Sequence, residues 1–261
     1  MRADRRLVSR VALLFMAVAA GPACNPVLGP QPLDDNWRVF EGPRVSFYVR
    51  PGSAADQNVA RLSEVIEDQY TATVAALRLT YAGRVRGYLY DSASDANFES
   101  NFSGRAYPDT ESFRFVCVAP VNANTFGLMQ HEANHVFVVN GLGRAGTYFM
   151  TEGLATALVS ETFHSNGRHF LFPWTKAHRA ELPRLSRLVD DGEWGRVRSD
   201  IAYDTSASFL AWLLDTYGAD RLRAIVGATS SEFAGRISSV YGRSLDALEE
   251  DWLRFCDSWV G

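Results

Sequence analysis

Cysteine is scarce in this chain, three residues in 261, so no disulfide framework can carry the fold. Charge of one sign is also lacking. Lys and Arg number 26 against 30 Asp and Glu, interspersed to a formal net charge of -4, which excludes a basic footprint for nucleic acid. Long apolar runs are missing too. The longest, Val11 to Gly21, is well short of the roughly 20 residues a membrane-spanning helix needs. No internal repeat is present, and no low-complexity tract beyond a short Pro-rich leader. Hydrophobic residues make up 47% of the chain, enough for a sizeable core, so a globular protein is expected.

The basic MRADRRLVSR, followed by the apolar VALLFMAVAAG, reads as a secretory signal over residues 1–24. Cys24 closes the sequence GPAC, where a bacterial lipoprotein carries its acylated cysteine. Ala23 suits that processing site, whereas Gly21 and Pro22 depart from it. Two outcomes fit: lipid on Cys24, or ordinary cleavage near Ala20 to Ala23. Export follows from either, to the cell envelope as a lipoprotein or to the periplasm or medium, with the membrane reached only through that lipid. If Cys24 is acylated, Cys117 and Cys256 are left as either one disulfide or two buried thiols.

Residues 25–35 (NPVLGPQPLDD) read as a tether. RVSFYVRPG alternates like a strand and ends in a turn. Residues 53–78 place Val59, Leu62, Val65, Ile66, Tyr70, Val74 and Leu77 at three- and four-residue intervals, as an amphipathic helix does. RVRGYLYD and FRFVCVAP have the β-branched and aromatic content of strands. Residues 36–123 are therefore expected to form a small sheet with a packed helix. From 124 to 261 the pattern is helical: FGLMQHEANHVFVVNG stopped by Asn140 and Gly141, YFMTEGLATALVSETF, SASFLAWLLDTYG stopped by Gly218, ADRLRAIV, and SLDALEEDWLRFCDSWV. The fold class expected is α+β.

HEANH, residues 131–135, carries the chemistry. On a helix, His131 and His135 share one face one turn apart, and Glu132 lies beside them, rotated by about 100°. With 5 His and 13 Glu in the chain, such a pattern arises by composition alone with an expectation of about 0.005. The Val136 to Val139 run also makes the helix too apolar to be exposed all round. Catalytic zinc takes three protein ligands and an open position. The third candidate is Glu152 in TEGLATAL, on the next helix, where Gly153, Ala155 and Ala157 would let that helix come close to the first.

HEANH followed by TEGLA resembles the gluzincin metallopeptidases, whose zinc is bound by HExxH and a glutamate. It is most similar to small exported peptidase MA-like domains, as are GRAYP at 104–108 and an aromatic residue before a helix ending in Tyr-Gly; the likeness spans roughly residues 36–258. The resemblance implies a small mixed sheet whose edge strand borders a cleft, an HExxH helix beneath it and a helical C-terminal lobe. It also implies one Zn2+ on His131, His135 and Glu152, Glu132 as general base, Tyr203 as donor to the oxyanion, and a peptide or protein as substrate. His164, His169 and His178 are alternatives to Tyr203, although their polar, Gly-containing stretch reads as loop. Thermolysin-like enzymes have Asn just before the ligand Glu and Asp four after it. Thr151 and Thr156 stand there instead. A GxMEN-type strand is lacking, which points to an endopeptidase rather than an aminopeptidase. The other expectation, from a different class, is an inactive exported domain of this fold that binds a protein or envelope partner. The retained Glu132 favours the enzyme, because a purely structural zinc site has no use for that carboxylate. Residues 161–200 are expected to cover the cleft or form its wall.

Overall fold

The structure, a computed structural model, describes residues 36–99, 103–159 and 167–260. The expected signal, Cys24 and the tether lie outside the described residues. Ten α-helices and a five-stranded mixed sheet make an α+β fold among the described residues.

The sheet comprises β1 (Arg38–Glu41), β2 (Val45–Val49), β3 (Val85–Tyr90), β4 (Gly104–Tyr107) and β5 (Ser112–Val116), in the order β1-β2-β3-β5-β4. The central pairs β2/β3 and β3/β5 are parallel, and the outer pairs β1/β2 and β4/β5 are antiparallel. The β2–β3 crossover is α1 (Ala54–Leu77). Ser53 caps its start by accepting from the Asp56 backbone N–H, and Arg78 ends it in the left-handed region at φ 52°. Alternation sends Val45, Phe47, Val49, Val85, Leu89, Phe113 and Phe115 to one face. There they meet Val59, Leu62, Val65 and Ile66 of α1, and Met129, Ala133, Val136 and Phe137 of α2 (Ala123–Leu142).

Its apolar residues divided between two sides, α2 packs between two cores. Its Val138 turns away from the sheet into a second, helical core, together with Phe149, Met150 and Leu154 of α3 (Tyr148–Ala157). After α4 (Gly167–Ala177), α5 (Leu185–Leu188) and α6 (Asp191–Trp194) comes α7 (Ser199–Tyr217), which runs through this core. The chain ends in α8 (Ala219–Arg223), α9 (Ser230–Tyr241) and α10 (Leu245–Ser258). No helix among the described residues is long and apolar enough to cross a membrane.

Three boundaries differ from expectation. Asn140 and Gly141 do not stop α2. The Asn140 side chain donates to the Val136 and Pro108 carbonyls, and the helix runs to Gly143, whose φ of 92° suits glycine. The helix expected from Ser206 starts at Ser199, which puts Tyr203 inside α7 rather than ahead of it. Cys117 and Cys256 are not bridged: one is buried in the sheet core and the other in the helical core, both as free thiols.

Candidate metal centre

His131 and His135 project from the same face of α2 toward α3. His131 Nε2 lies 3.2 Å and His135 Nε2 3.3 Å from Glu152 Oε2, and the two Nε2 atoms are 3.1 Å apart. Ligand atoms placed tetrahedrally at about 2.0–2.2 Å from zinc stand about 3.3–3.5 Å from one another. The nearly equilateral triangle therefore accommodates that ion with shifts of a few tenths of an ångström. Two imidazoles and a carboxylate are also zinc's usual donors. Among the described residues, this is the one group of His, Cys, Asp and Glu spaced to hold a metal ion.

The electrostatics bind the three together. Burial opposes charge on Glu152, yet His135 and His131 hold its carboxyl well below the usual carboxylate range. Burial would likewise pull His135 down, but the Glu152 carboxylate beside it, helped by Glu132, carries it above its ordinary value. Orientation comes from the next layer. Thr156 Oγ1 stands 3.2 Å from His131 Nδ1. A metal-binding Nε2 leaves the proton on Nδ1, which donates to that hydroxyl and fixes the ring and its tautomer. Thr156 thus supports the histidine from α3, one turn after Glu152. Thr151 does not help in this way, because its hydroxyl donates to the Thr147 carbonyl of its own helix.

Glu132 leaves α2 on the side facing β4, the edge strand. Its carboxylate packs on Gly104, where a Cβ would fall 2.6 Å from Glu132 Cγ and 2.7 Å from Oε1. A side chain at that position would push the Glu132 carboxylate from its place. Burial raises the Glu132 pKa, against the pull of His131, His135 and, from β4, Arg105. The GRAYP stretch is thus the strand against the site, an element that its four residues and glycine did not announce as β.

Tyr203 stands over the histidines. Its ring centroid is 6.0 Å from that of His131, and Trp194 of α6 backs it at 5.8 Å. Its hydroxyl is hydrogen-bonded to Glu152, and burial together with Glu152 and Glu132 raises its pKa, so the proton stays on oxygen. His178 is not at the site: it stacks on Trp174 at 4.5 Å, within 2.9 Å of the Trp174 carbonyl. His164 and the His169 side chain lie outside the described residues. Of the 161–200 segment, α6 does border the site, through Trp194 and through Asp191, which accepts from the Tyr148 backbone N–H at 2.8 Å.

Two features escape a sequence reading. Tyr148, one turn before Glu152 on the same helix, is a second phenol beside the ligand, with its pKa raised by burial, Asp191 and Glu152; the i, i+4 spacing was its signal. Gly153 serves a different neighbour from the one expected. A Cβ there would meet Ser206 Cβ and Leu210 Cδ1 at 2.8 Å, so the close approach is between α3 and α7. That approach carries Tyr203 to His131 and Glu152.

Asp204, next along α7, is pushed up to about 7, first by burial and then by Asp200 one turn earlier. A raised folded-state pKa gives stability that is present below about pH 4 and lost as pH rises through about 7. Asp204→Asn is therefore expected to match the parent near pH 4 and exceed it by about 2–4 kcal/mol at pH 8 in urea denaturation. A gap that does not change with pH would contradict this origin.

No protein-family model matches the chain, and no curated protein matches it.

Proposed function

We propose that the protein is a zinc metallopeptidase of the gluzincin type that cuts peptide bonds outside the cytoplasm, as an endopeptidase. The observation that carries this reading is the triangle of His131, His135 and Glu152 atoms at 3.1–3.3 Å, with the Glu132 carboxylate packed beside it. Those three residues would hold zinc, which supplies a Lewis acid and lowers the pKa of water to about 7. Glu132 takes the proton from the attacking water on its carboxylate and returns it to the leaving amine as the C–N bond breaks. Tyr203 donates its phenolic O–H to the oxyanion that forms on the scissile carbonyl. Thr156 holds His131 in the tautomer that leaves Nε2 free. The apolar wall of Trp194 excludes water from the tyrosine side.

Exposure of the zinc-supplied protein to a mixed-sequence peptide pool tests the reading. New internal cleavage products are expected, abolished by a chelator and restored by zinc. A pool left uncut by protein that holds zinc would favour the rival, a domain that binds a partner without chemistry.

A further inference from the structure

The last carbonyls of a helix have no partner within it. At the end of α3 the Leu154 and Thr156 carbonyls accept from the backbone N–H groups of Leu158 and Val159, and side chains of two other helices satisfy the Ala155 and Leu158 carbonyls. Asn134 of α2 donates through Nδ2 to the Ala155 carbonyl at 2.9 Å, and Gln69 of α1 donates through Nε2 to the Leu158 carbonyl at 2.6 Å. Asn134 is itself held. Its Oδ1 accepts from Gln69 Nε2 at 2.9 Å and from the Thr73 hydroxyl at 2.8 Å. Asn134, Gln69 and Thr73 are all fully buried.

Asn134 directly precedes His135, and Ala155 lies three residues after Glu152. The bond between them therefore spans the same gap between α2 and α3 that the metal ligands span. Apolar contacts between helices are non-directional and tolerate sliding, whereas a buried amide-to-carbonyl bond fixes both separation and register. Metal ligands need such fixing, because their distances are tolerated only within about 0.2 Å.

We propose that Asn134, braced by Gln69 and Thr73, is a positioning residue that sets α3 against α2 and so closes the triangle of His131, His135 and Glu152. The proposal rests on reading that triangle as a metal centre. It assigns a task to the third residue of the HEANH pattern after His131, at a position where a zinc ligand helix has no general need of asparagine.

Asn134→Asp is the informative substitution. It is nearly isosteric and keeps an acceptor for Gln69 and Thr73, but its carboxylate cannot donate to the Ala155 carbonyl. Its added negative charge would, if anything, tighten cation binding, so weakening cannot be blamed on charge. The measurement is Co2+ affinity by chelator competition, together with the visible ligand-field spectrum of the Co2+-loaded full mature chain. Weakening by about 10–100-fold with an altered spectrum is expected, the range seen when the support of a metal ligand is lost. Gln69→Leu, at the far end of the network, is expected to weaken Co2+ several-fold and guards against failure of Asn134→Asp to fold. Ser208→Ala is the control: it breaks a buried network in the helical core, where Thr175 and Trp252 donate to that hydroxyl, and should leave affinity and spectrum unchanged. Parental affinity and spectrum in both Asn134→Asp and Gln69→Leu would overturn the proposal and leave the network a purely structural feature. Absence of Co2+ uptake by the parent would instead overturn the metal-centre reading, and the proposal with it.

Discussion

Glu132→Gln is expected to lower peptide hydrolysis by about 10²- to 10⁴-fold, the usual contribution of a positioned general base. The amide has the volume of the carboxylate and sits equally well against Gly104, but it cannot accept the proton of the attacking water. Metal content should be unchanged, since Glu132 belongs to none of the three ligand positions. Turnover near the parental rate in the zinc-loaded variant would remove Glu132 from the chemistry. A parallel loss of zinc would show instead that the carboxylate is needed to hold the site together.

Tyr203→Phe carries the second large effect. On the proposed mechanism, removing the hydroxyl that would serve the developing oxyanion is expected to cost about 10²- to 10³-fold in kcat. KM should change little, because the lost bond forms only in the transition state. The ring itself is kept, with its contacts to His131 and Trp194, so the fold should follow the parent; the hydroxyl's bond to Glu152 is lost as well, so kcat is compared at saturating zinc. Should kcat hold while stability falls, Tyr203 would be a packing residue at the α3–α7 contact and no more.

How much of this could be seen in the chain itself depends on how local each signal was. The two histidines and Glu132 lie within five residues on one helix, so helical geometry alone puts them together. Glu152 needed only the next helix. α1 and the central strands follow from spacing and alternation that their burial sustains. β4 is harder: four residues, one of them glycine, hold no alternating pattern, and the strand forms by pairing with the edge of β5. α9 is less legible: Thr229 and Glu232 form a capping box and Phe233, Ile237 and Tyr241 recur every four residues, but the polar residues between them mask that stripe. The α3–α7 approach at Gly153 and the bracing of Asn134 by Gln69 and Thr73 could not be read at all. Each joins residues more than fifty positions apart, and only the packing of the helices brings them together.

The measurement that bears most directly on the central claim is the metal content of purified residues 25–261, beside the same chain carrying His135→Ala. One zinc per chain in the parent, gone in the variant while its folded circular-dichroism spectrum persists, is the expected result. No zinc in the parent even after the ion is supplied, or zinc retained without His135, would contradict the metal centre and the hydrolytic chemistry built on it.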